Sequence, residues 1–399
     1  MLGIKKRHWA EPVEDIVFLV VSGKRMLWVQ WLTEMGSVKK MDISITRSEF
    51  LKALPDGNGL SFGTVFTDHM FNMDYTAEKG WHNPRIEPYG PITMEPSTMV
   101  LHYGQSIFEG LKAFKTDSGA VNLFRPEENF RRFNRSADKM CIPKLDEDFA
   151  LEALKQLLAV EKRWVPFAPG TSLYIRPTII AMDPYLGVRA SYQYRFFIIL
   201  SPVGPYYKEG FDPVKIWVTE KYVRAVPGGV GDVKTAGNYA ASLCASEEAQ
   251  RKGYTQVLWL DGVERRYIEE VGSMNIFFVI DDEIITPALT GSILAGITRD
   301  TVIRLAARWG NPVTQRRITI DEVVEAHAAG KLQECFGSGT AAVISPVGEI
   351  KYKDTVVSIG DGSVGMWAKK FFDTITGIQY GRMEDPEGWV IPLFARGQD

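Results

Sequence analysis

Cysteine is scarce in this chain, with three residues, Cys141, Cys244 and Cys335, in a length of 399. Their number is odd and they lie far apart. Neither a disulfide framework nor a Cys-x-x-Cys metal spacing follows, and a reducing, cytoplasmic setting is expected. Histidine is thin as well. His8, His69, His82, His102 and His327 show no His-Glu-x-x-His or other ligand spacing, so no metal site is expected. Charge of one sign nowhere accumulates: 46 basic and 49 acidic residues leave a net charge of −3, with no basic block for nucleic acid and no acidic tail. Long apolar runs are missing too. The run at 16–21 is too short to span a bilayer, and Glu11, Glu14 and Asp15 directly before it make a poor signal-peptide core. No Arg-rich, acid-poor presequence is seen.

What is present describes a globular protein. Apolar residues make up 45% and charged residues 24% of a chain longer than a single core usually serves, so two domains are expected. A strand ending at Arg125 leads into a helix opened by Pro126. Asp146 caps a helix with Phe149, Leu154, Leu157, Leu158 and Trp164 at helical spacing, closed by Pro166. Strands are expected at 172–182, 194–200, 214–219 and 274–280, and helices at 238–252 and 298–309. Asp261-Gly262 reads as a two-residue hairpin turn, and Thr319-x-x-Glu322 as a capping box. The segment 201–213, rich in Pro, Gly and Tyr, is the best candidate for an interdomain linker. Long βαβ alternation is absent, and the pattern is α+β in both halves. The division that follows is 41–203 as a small domain, 204–213 as an interdomain loop and 214–399 as a large domain. Residues 1–40 read either as an extension upstream of a start near Met41 or as an extra strand pair on the small domain.

Several nucleotide motifs fail on context. Gly360-x-Gly362-x-x-Gly365 lies between a strand and a helix, but no second parallel strand follows it to complete a βαβ unit, so a glycine-rich turn is expected. The stretch Gly337-Ser338-Gly339-Thr340-Ala341-Ala342 is followed by a β-like segment and fails in the same way. No Gly-x-Ser-x-Gly elbow or Walker loop is present. The segment Gly231-Asp232-Val233-Lys234-Thr235-Ala236-Gly237-Asn238-Tyr239 is different. It sets one lysine on a glycine-rich loop just before a helix, and a lysine amine with a depressed pKa forms Schiff bases. Taken alone, such a lysine is more often a surface residue; its neighbours along the chain give it weight.

That segment resembles the cofactor-lysine motif of the branched-chain aminotransferases, fold-type-IV pyridoxal-phosphate enzymes. Four further blocks resemble the family in order and spacing. They are Leu101-His102-Tyr103-Gly104-Gln105-Ser106-Ile107-Phe108-Glu109-Gly110, Ser172-Leu173-Tyr174-Ile175-Arg176-Pro177, Glu269-Glu270-Val271-Gly272-Ser273-Met274-Asn275, and 336–341. The resemblance runs from about Phe66 to near the C-terminus and leaves residues 1–40 outside. It implies a two-domain α+β fold, each domain a mixed sheet with flanking helices, and pyridoxal 5'-phosphate held as a Schiff base on Lys234. Lys234 would also act as general acid and base.

The other roles are implied by the same resemblance. Glu270 would face the ring nitrogen, with Glu269 as the competing carboxylate, and Tyr239 the phenolic oxygen. Arg132, Thr340 and the helix start at Ile297 and Thr298 would hold the phosphate, and Ser273 would line the cofactor. Arg131 reads as a solvated charge. Tyr103, Phe108, Tyr174 and Tyr206 would line the substrate, Arg176 would meet a distal carboxylate, and Gly339, Thr340 and Ala341 would offer main-chain donors to the α-carboxylate. The expected activity is reversible transamination between leucine, isoleucine or valine and 2-oxoglutarate. A homodimer is expected, with no nucleic acid or membrane as partner. The positions where some relatives carry a redox Cys-x-x-Cys are Ala342 and Ser345, so no thiol switch is expected there.

Overall fold

The computed structural model describes residues 41–57, 59–204 and 211–394. Tyr206 and the 1–40 extension lie outside the described residues. Two nine-stranded sheets organise the rest. The first contains β1 (Ser44–Ile45), β2 (His69–Thr76), β3 (Gly80–Pro88), β4 (Ser106–Phe108), β5 (Leu111–Lys115), β6 (Val121–Phe124), β7 (Ser172–Ala181) and β8 (Gln193–Val203). The second contains β9 (Val214–Val218), β10 (Gln256–Leu260), β11 (Ile268–Val271), β12 (Met274–Ile280), β13 (Glu283–Pro287), β14 (Thr314–Arg316), β15 (Leu332–Gly339), β16 (Val343–Tyr352) and β17 (Thr355–Ser358). The last strand, β18 (Val390–Leu393), returns to the first sheet and pairs antiparallel with β6.

The strand orders are β1-β3-β2-β8-β7-β5-β6-β18, with β4 on β7, and β11-β10-β9-β16-β15-β12-β13-β14, with β17 on β16. Parallel pairs (β1 with β3, β9 with β10 and with β16, β13 with β14) mix with antiparallel ones, so the α+β expectation holds. Residue alternation shows why β7 matters to function. Leu173, Ile175 and Ile179 are fully buried, while Tyr174, Arg176 and Thr178 share the opposite, half-open face. In β10, by contrast, Val257, Leu258, Trp259 and Leu260 are all buried, as a strand covered on both faces requires.

The helices begin where their caps are. The helix Pro126–Lys139 has proline in its first turn and follows Arg125 in the left-handed region at φ 52°. Asp146 accepts a hydrogen bond from the Phe149 N–H at 2.9 Å and opens the helix Glu147–Val160; Trp164 falls in a short 3₁₀ turn beyond it. Thr319 accepts from the Glu322 N–H at 3.0 Å, but the Glu322 carboxylate pairs with Arg316, so only half of the expected box forms.

Two further sequence expectations change. The helix over 238–252 forms as two pieces, Ala236–Ala240 and Leu243–Arg251. Ser242 at the break donates its hydroxyl to the Tyr239 carbonyl at 2.7 Å, a local bond that competes with the helical ladder. The hairpin joining β10 and β11 has a loop over 261–267 in place of a two-residue turn. The Asp261 carboxylate accepts from the N–H groups of Val263, Glu264, Arg266 and Tyr267 and so stabilises the longer loop. The Gly360 motif is a turn, as expected, leading from β17 to the helix Met366–Gln379. That helix's N-terminus is taken by the Glu334 carboxylate, which accepts from the N–H groups of Trp367 at 2.9 Å and Ala368 at 3.0 Å.

Candidate active site

The lysine loop is fixed from both sides before its side chain is considered. Lys234 N–H donates to Ser136 Oγ at 3.1 Å on the helix Pro126–Lys139, and the Lys234 carbonyl accepts from Phe108 N–H at 3.1 Å on β4. Thr235 Oγ1 donates to the Ser106 carbonyl at 2.8 Å. Asn238 donates to the carbonyls of Val230 at 2.7 Å and Val233 at 2.9 Å, which ties the following helix back onto the loop. The Lys234 amine, half-buried, lies 2.9 Å from the Tyr239 hydroxyl and 4.9 Å from the Phe108 ring centre.

Glu269 and Glu270 are adjacent on β11 and both buried, yet their surroundings differ. Glu269 accepts a short hydrogen bond from the Ser292 hydroxyl and leaves its other oxygen without a partner; burial raises its pKa. Glu270 Oε1 accepts from the Leu294 N–H at 2.8 Å, and Oε2 lies 3.1 Å from Arg224 Nε. That last pair is a charge contact without hydrogen-bond alignment. Burial raises the Glu270 carboxyl above its usual range, and Arg224 is the strongest influence opposing it. Glu270, Arg224, Tyr239, Ser273 and Leu294 line one cavity of about 230 Å³.

Arg132 is buried beside Glu109, with Nε at 2.6 Å and Nη2 at 2.9 Å from the carboxylate oxygens. Asn129 holds the same carboxylate at 2.8 Å. Burial would raise the Glu109 carboxyl, but Arg132 beside it keeps it below the ordinary range. Arg132 Nη1 reaches the Ala295 carbonyl at 3.2 Å, at the start of the helix Ile297–Arg308. Gly296 precedes that helix without a side-chain cap, and a Cβ there would stand 2.0 Å from Asn275 Oδ1. Ile297, Thr298 and Thr340 share a small cavity with Asn129 and Lys112. Arg131 is exposed and pairs with Glu128 at 2.5 Å.

The substrate-side residues gather on β7 and the turn after β15. Arg176 donates to the Tyr174 hydroxyl at 2.9 Å and stacks 4.6 Å over the Phe108 ring; its Nε is buried without a partner. Gly110 makes room for this group, because a Cβ there would lie 2.1 Å from the Tyr174 hydroxyl. Gly339, Thr340 and Ala341 are half-buried on the turn between β15 and β16. Tyr103 stands apart. It is 42% exposed and donates to the Leu186 carbonyl, within an exposed set that includes Leu101, Tyr185, Leu186 and Val188.

Four participants were not singled out from the sequence. Glu109 and Arg224 are buried charges that hold Arg132 and Glu270. Phe62 packs edge-on against Tyr174 with ring centres 4.8 Å apart. The buried Lys112 amine donates to the Ala341 carbonyl at 2.6 Å, and burial pushes its pKa down to about 8. Glu109 and Lys112 sit in the apolar run Phe108-Glu109-Gly110-Leu111-Lys112-Ala113, and a charge in such a run is costly unless paired, which is the available signal.

An amine beside a phenol, a buried carboxylate, an arginine at an uncapped helix start and a glycine turn form a donor set that fits a phosphorylated pyridine aldehyde. Fold and donor set together define a transaminase-type site. Residues 106–350 match the family Amino-transferase class IV, and the chain belongs to that family. Class IV aminotransferases are pyridoxal-phosphate enzymes. The chain is 59% identical over 356 residues to the branched-chain-amino-acid aminotransferase 2 of Bacillus subtilis, covering 89% of this chain and 98% of that one. To the branched-chain-amino-acid aminotransferase of Mycolicibacterium smegmatis it is 49% identical, covering 83% of this chain and 92% of that one. Among solved structures, the Escherichia coli branched-chain amino acid aminotransferase superposes with a TM-score of 0.69 at 28% identity, covering 81% of this chain and 98% of that chain. The branched-chain aminotransferase of the archaeon Thermoproteus uzoniensis, solved with norvaline, superposes with a TM-score of 0.66 at 25% identity, covering 81% and 100%.

Proposed function

We propose that this chain transfers the amino group between leucine, isoleucine or valine and 2-oxoglutarate, with pyridoxal 5'-phosphate attached through Lys234. The observation that carries the reading is the Phe108 ring, which has the Lys234 amine 4.9 Å from its centre and the Arg176 guanidinium 4.6 Å from it. One aromatic ring thus has both a reacting amine and a cation within 5 Å of its centre. An aliphatic side chain can lie on that ring, and a distal carboxylate can reach the cation. This is what a site for both a branched-chain amino acid and glutamate requires.

The bound cofactor supplies the electron sink for the substrate's α-carbon. The chain's residues do the rest. The Lys234 amine moves the α-proton, and Tyr239 orients that amine and meets the cofactor's phenolic oxygen. Glu270 would face the ring nitrogen, and Ser273 lines the same cavity as Glu270. Arg132, the Ile297 and Thr298 helix start, and Thr340 hold the phosphate. The main chain of Gly339, Thr340 and Ala341 receives the substrate α-carboxylate, between Tyr174, Arg176 and Phe108. We take 41–203 as the small domain and 214–399 as the large one, joined by 204–213; β18, from the end of the chain, completes the sheet of the small domain. A second copy of the chain suits the exposed apolar set around Tyr103, where Val188 is 84% exposed, and makes the enzyme a homodimer. No helix among the described residues is long and apolar enough to cross a membrane. The free cysteines Cys141, Cys244 and Cys335 suit a reducing compartment, and on that ground we place the enzyme in the cytoplasm.

Steady-state rates with 2-oxoglutarate as acceptor test the substrate. L-leucine should exceed D-alanine and an aryl amine by at least about tenfold in kcat/KM, the scale of one methylene-sized difference in pocket fit. Preference for either rival overturns the branched-chain reading and leaves a D-amino-acid or amine transaminase in its place.

A further inference from the structure

We propose that Arg224 is a positioning residue for the cofactor ring, because its guanidinium links the Glu270 carboxylate, the lysine loop and the Ser292–Leu294 turn into one unit. The inference rests on the reading of Glu270 as the ring-nitrogen carboxylate. Arg224 is itself buried, 8% exposed in its side chain. Its Nε stands 3.1 Å from Glu270 Oε2, and its Nη2 donates to the carbonyls of Ser292 and, at 3.3 Å, Gly231. Gly231 lies three residues before Lys234 in sequence. The next turn residue but one after Ser292, Leu294, gives its N–H to the other oxygen of Glu270. One guanidinium therefore touches the carboxylate, the loop that carries the reacting lysine, and the turn that completes the carboxylate's hydrogen bonding.

The close fit around Gly231 supports this role. A Cβ there would stand 2.4 Å from the Ser292 carbonyl oxygen and 2.3 Å from Ala225 Cβ. Lysine loop and Ser292 turn are thus in direct contact, and Arg224 bonds both where they meet. The charged groups facing Glu270 are Arg224, Lys234 and Arg132, with Glu269 beside it on β11 and Tyr239 in the shared cavity. Burial pushes both the Glu269 and the Glu270 carboxyl above their usual range. Arg224 is the nearest of the cations and the strongest of the groups that oppose this. A charged Glu270 would accept from a protonated ring nitrogen and keep the bound ring electron-withdrawing; a neutral one would donate to an unprotonated nitrogen and weaken the sink. Charge and placement are therefore set together by Arg224.

The test compares Arg224→Met and Arg224→Lys in the wild-type and Glu270→Gln backgrounds of the full chain. In holoenzyme, Arg224→Met should lower kcat about tenfold or more at pH 7, the scale seen when the partner of an active-site ligand is lost. The loss should shrink as pH rises, because Glu270 without Arg224 keeps its proton to higher pH and regains charge only there. The absorption spectrum of the bound cofactor should shift its pH dependence in the same direction, and Arg224→Lys should recover part of both effects. In the Glu270→Gln background, Arg224→Met should add little. An equal, pH-independent loss in both backgrounds would show a purely structural arginine and overturn the proposal. Should Arg224→Met not fold, Arg224→Gln against Arg224→Lys carries the same comparison. Borohydride fixation of the cofactor on Lys234 is measured in every variant. Absence of label in the wild type overturns the cofactor reading itself, whereas label without the coupled pH effect overturns Arg224 alone.

Discussion

On the cofactor side, Arg132, Glu109, Arg224 and Glu270 are each buried and each in contact with another member of the set. On the substrate side, Arg176 makes one hydrogen bond to Tyr174 and keeps its Nε without one, while Tyr103 lies exposed among apolar residues. The cofactor is always the same molecule, so its seat can be completed from within the chain. The substrate is not. On the proposed reading an apolar side chain and a carboxylate would alternate in one pocket, and a cation left partly unsatisfied would bind the carboxylate without requiring it. Preorganised contacts on one side and unmet ones on the other are the expected division for an enzyme with one cofactor and two kinds of substrate.

The largest effect should come from the cofactor side. Glu109→Gln leaves Arg132 buried without its counter-ion, and breaking such a pair costs about 3–5 kcal/mol. Urea unfolding of the apoprotein should show that loss, and added pyridoxal phosphate should restore more stability to the variant than to the wild type. KM for leucine should hardly change once the variant is loaded. A stability loss under about 1 kcal/mol, the scale of an exposed pair, would mean that Arg132 is not held as described.

A smaller effect belongs to the substrate side. Lys112→Met removes the donor to Ala341, a charge-assisted bond of about 1.5–3 kcal/mol. KM for amino acids should rise about tenfold or more, with cofactor affinity unchanged. Because burial pushes the Lys112 amine down to about 8, the ammonium is present below that pH and lost above it. Wild-type KM should therefore climb as pH passes 8, and the variant should show no such climb. An identical pH slope in the variant would remove Lys112 from the substrate turn.

Much of this was legible in the sequence where a residue's role has a local pattern. The strand expected at 172–182 forms over Ser172–Ala181, the helix Glu147–Val160 is announced by Asp146, and the Gly360 turn by what does not follow it. Lys234, Tyr239, Glu270 and Arg132 came from motif resemblance, and the fold places them around one site. The unread parts depend on partners far away in the chain. Arg224 meets Ser292, and Lys112 meets Ala341, 229 positions on, so no window of sequence contains either pair. The loop after Asp261 departs from the expected two-residue turn because one carboxylate gathers four N–H groups, which turn propensity does not encode. The break at Ser242 escaped for a similar reason: a serine in a helical pattern breaks the ladder only when its hydroxyl finds a nearby carbonyl.

Borohydride reduction of the purified protein, followed by peptide mapping, tests the cofactor assignment most directly. The protein should be yellow as isolated, and reduction should leave one stable pyridoxyl label on the peptide that contains Lys234, absent in Lys234→Ala. A colourless protein that takes up no pyridoxal phosphate, or a label on another lysine, would contradict it.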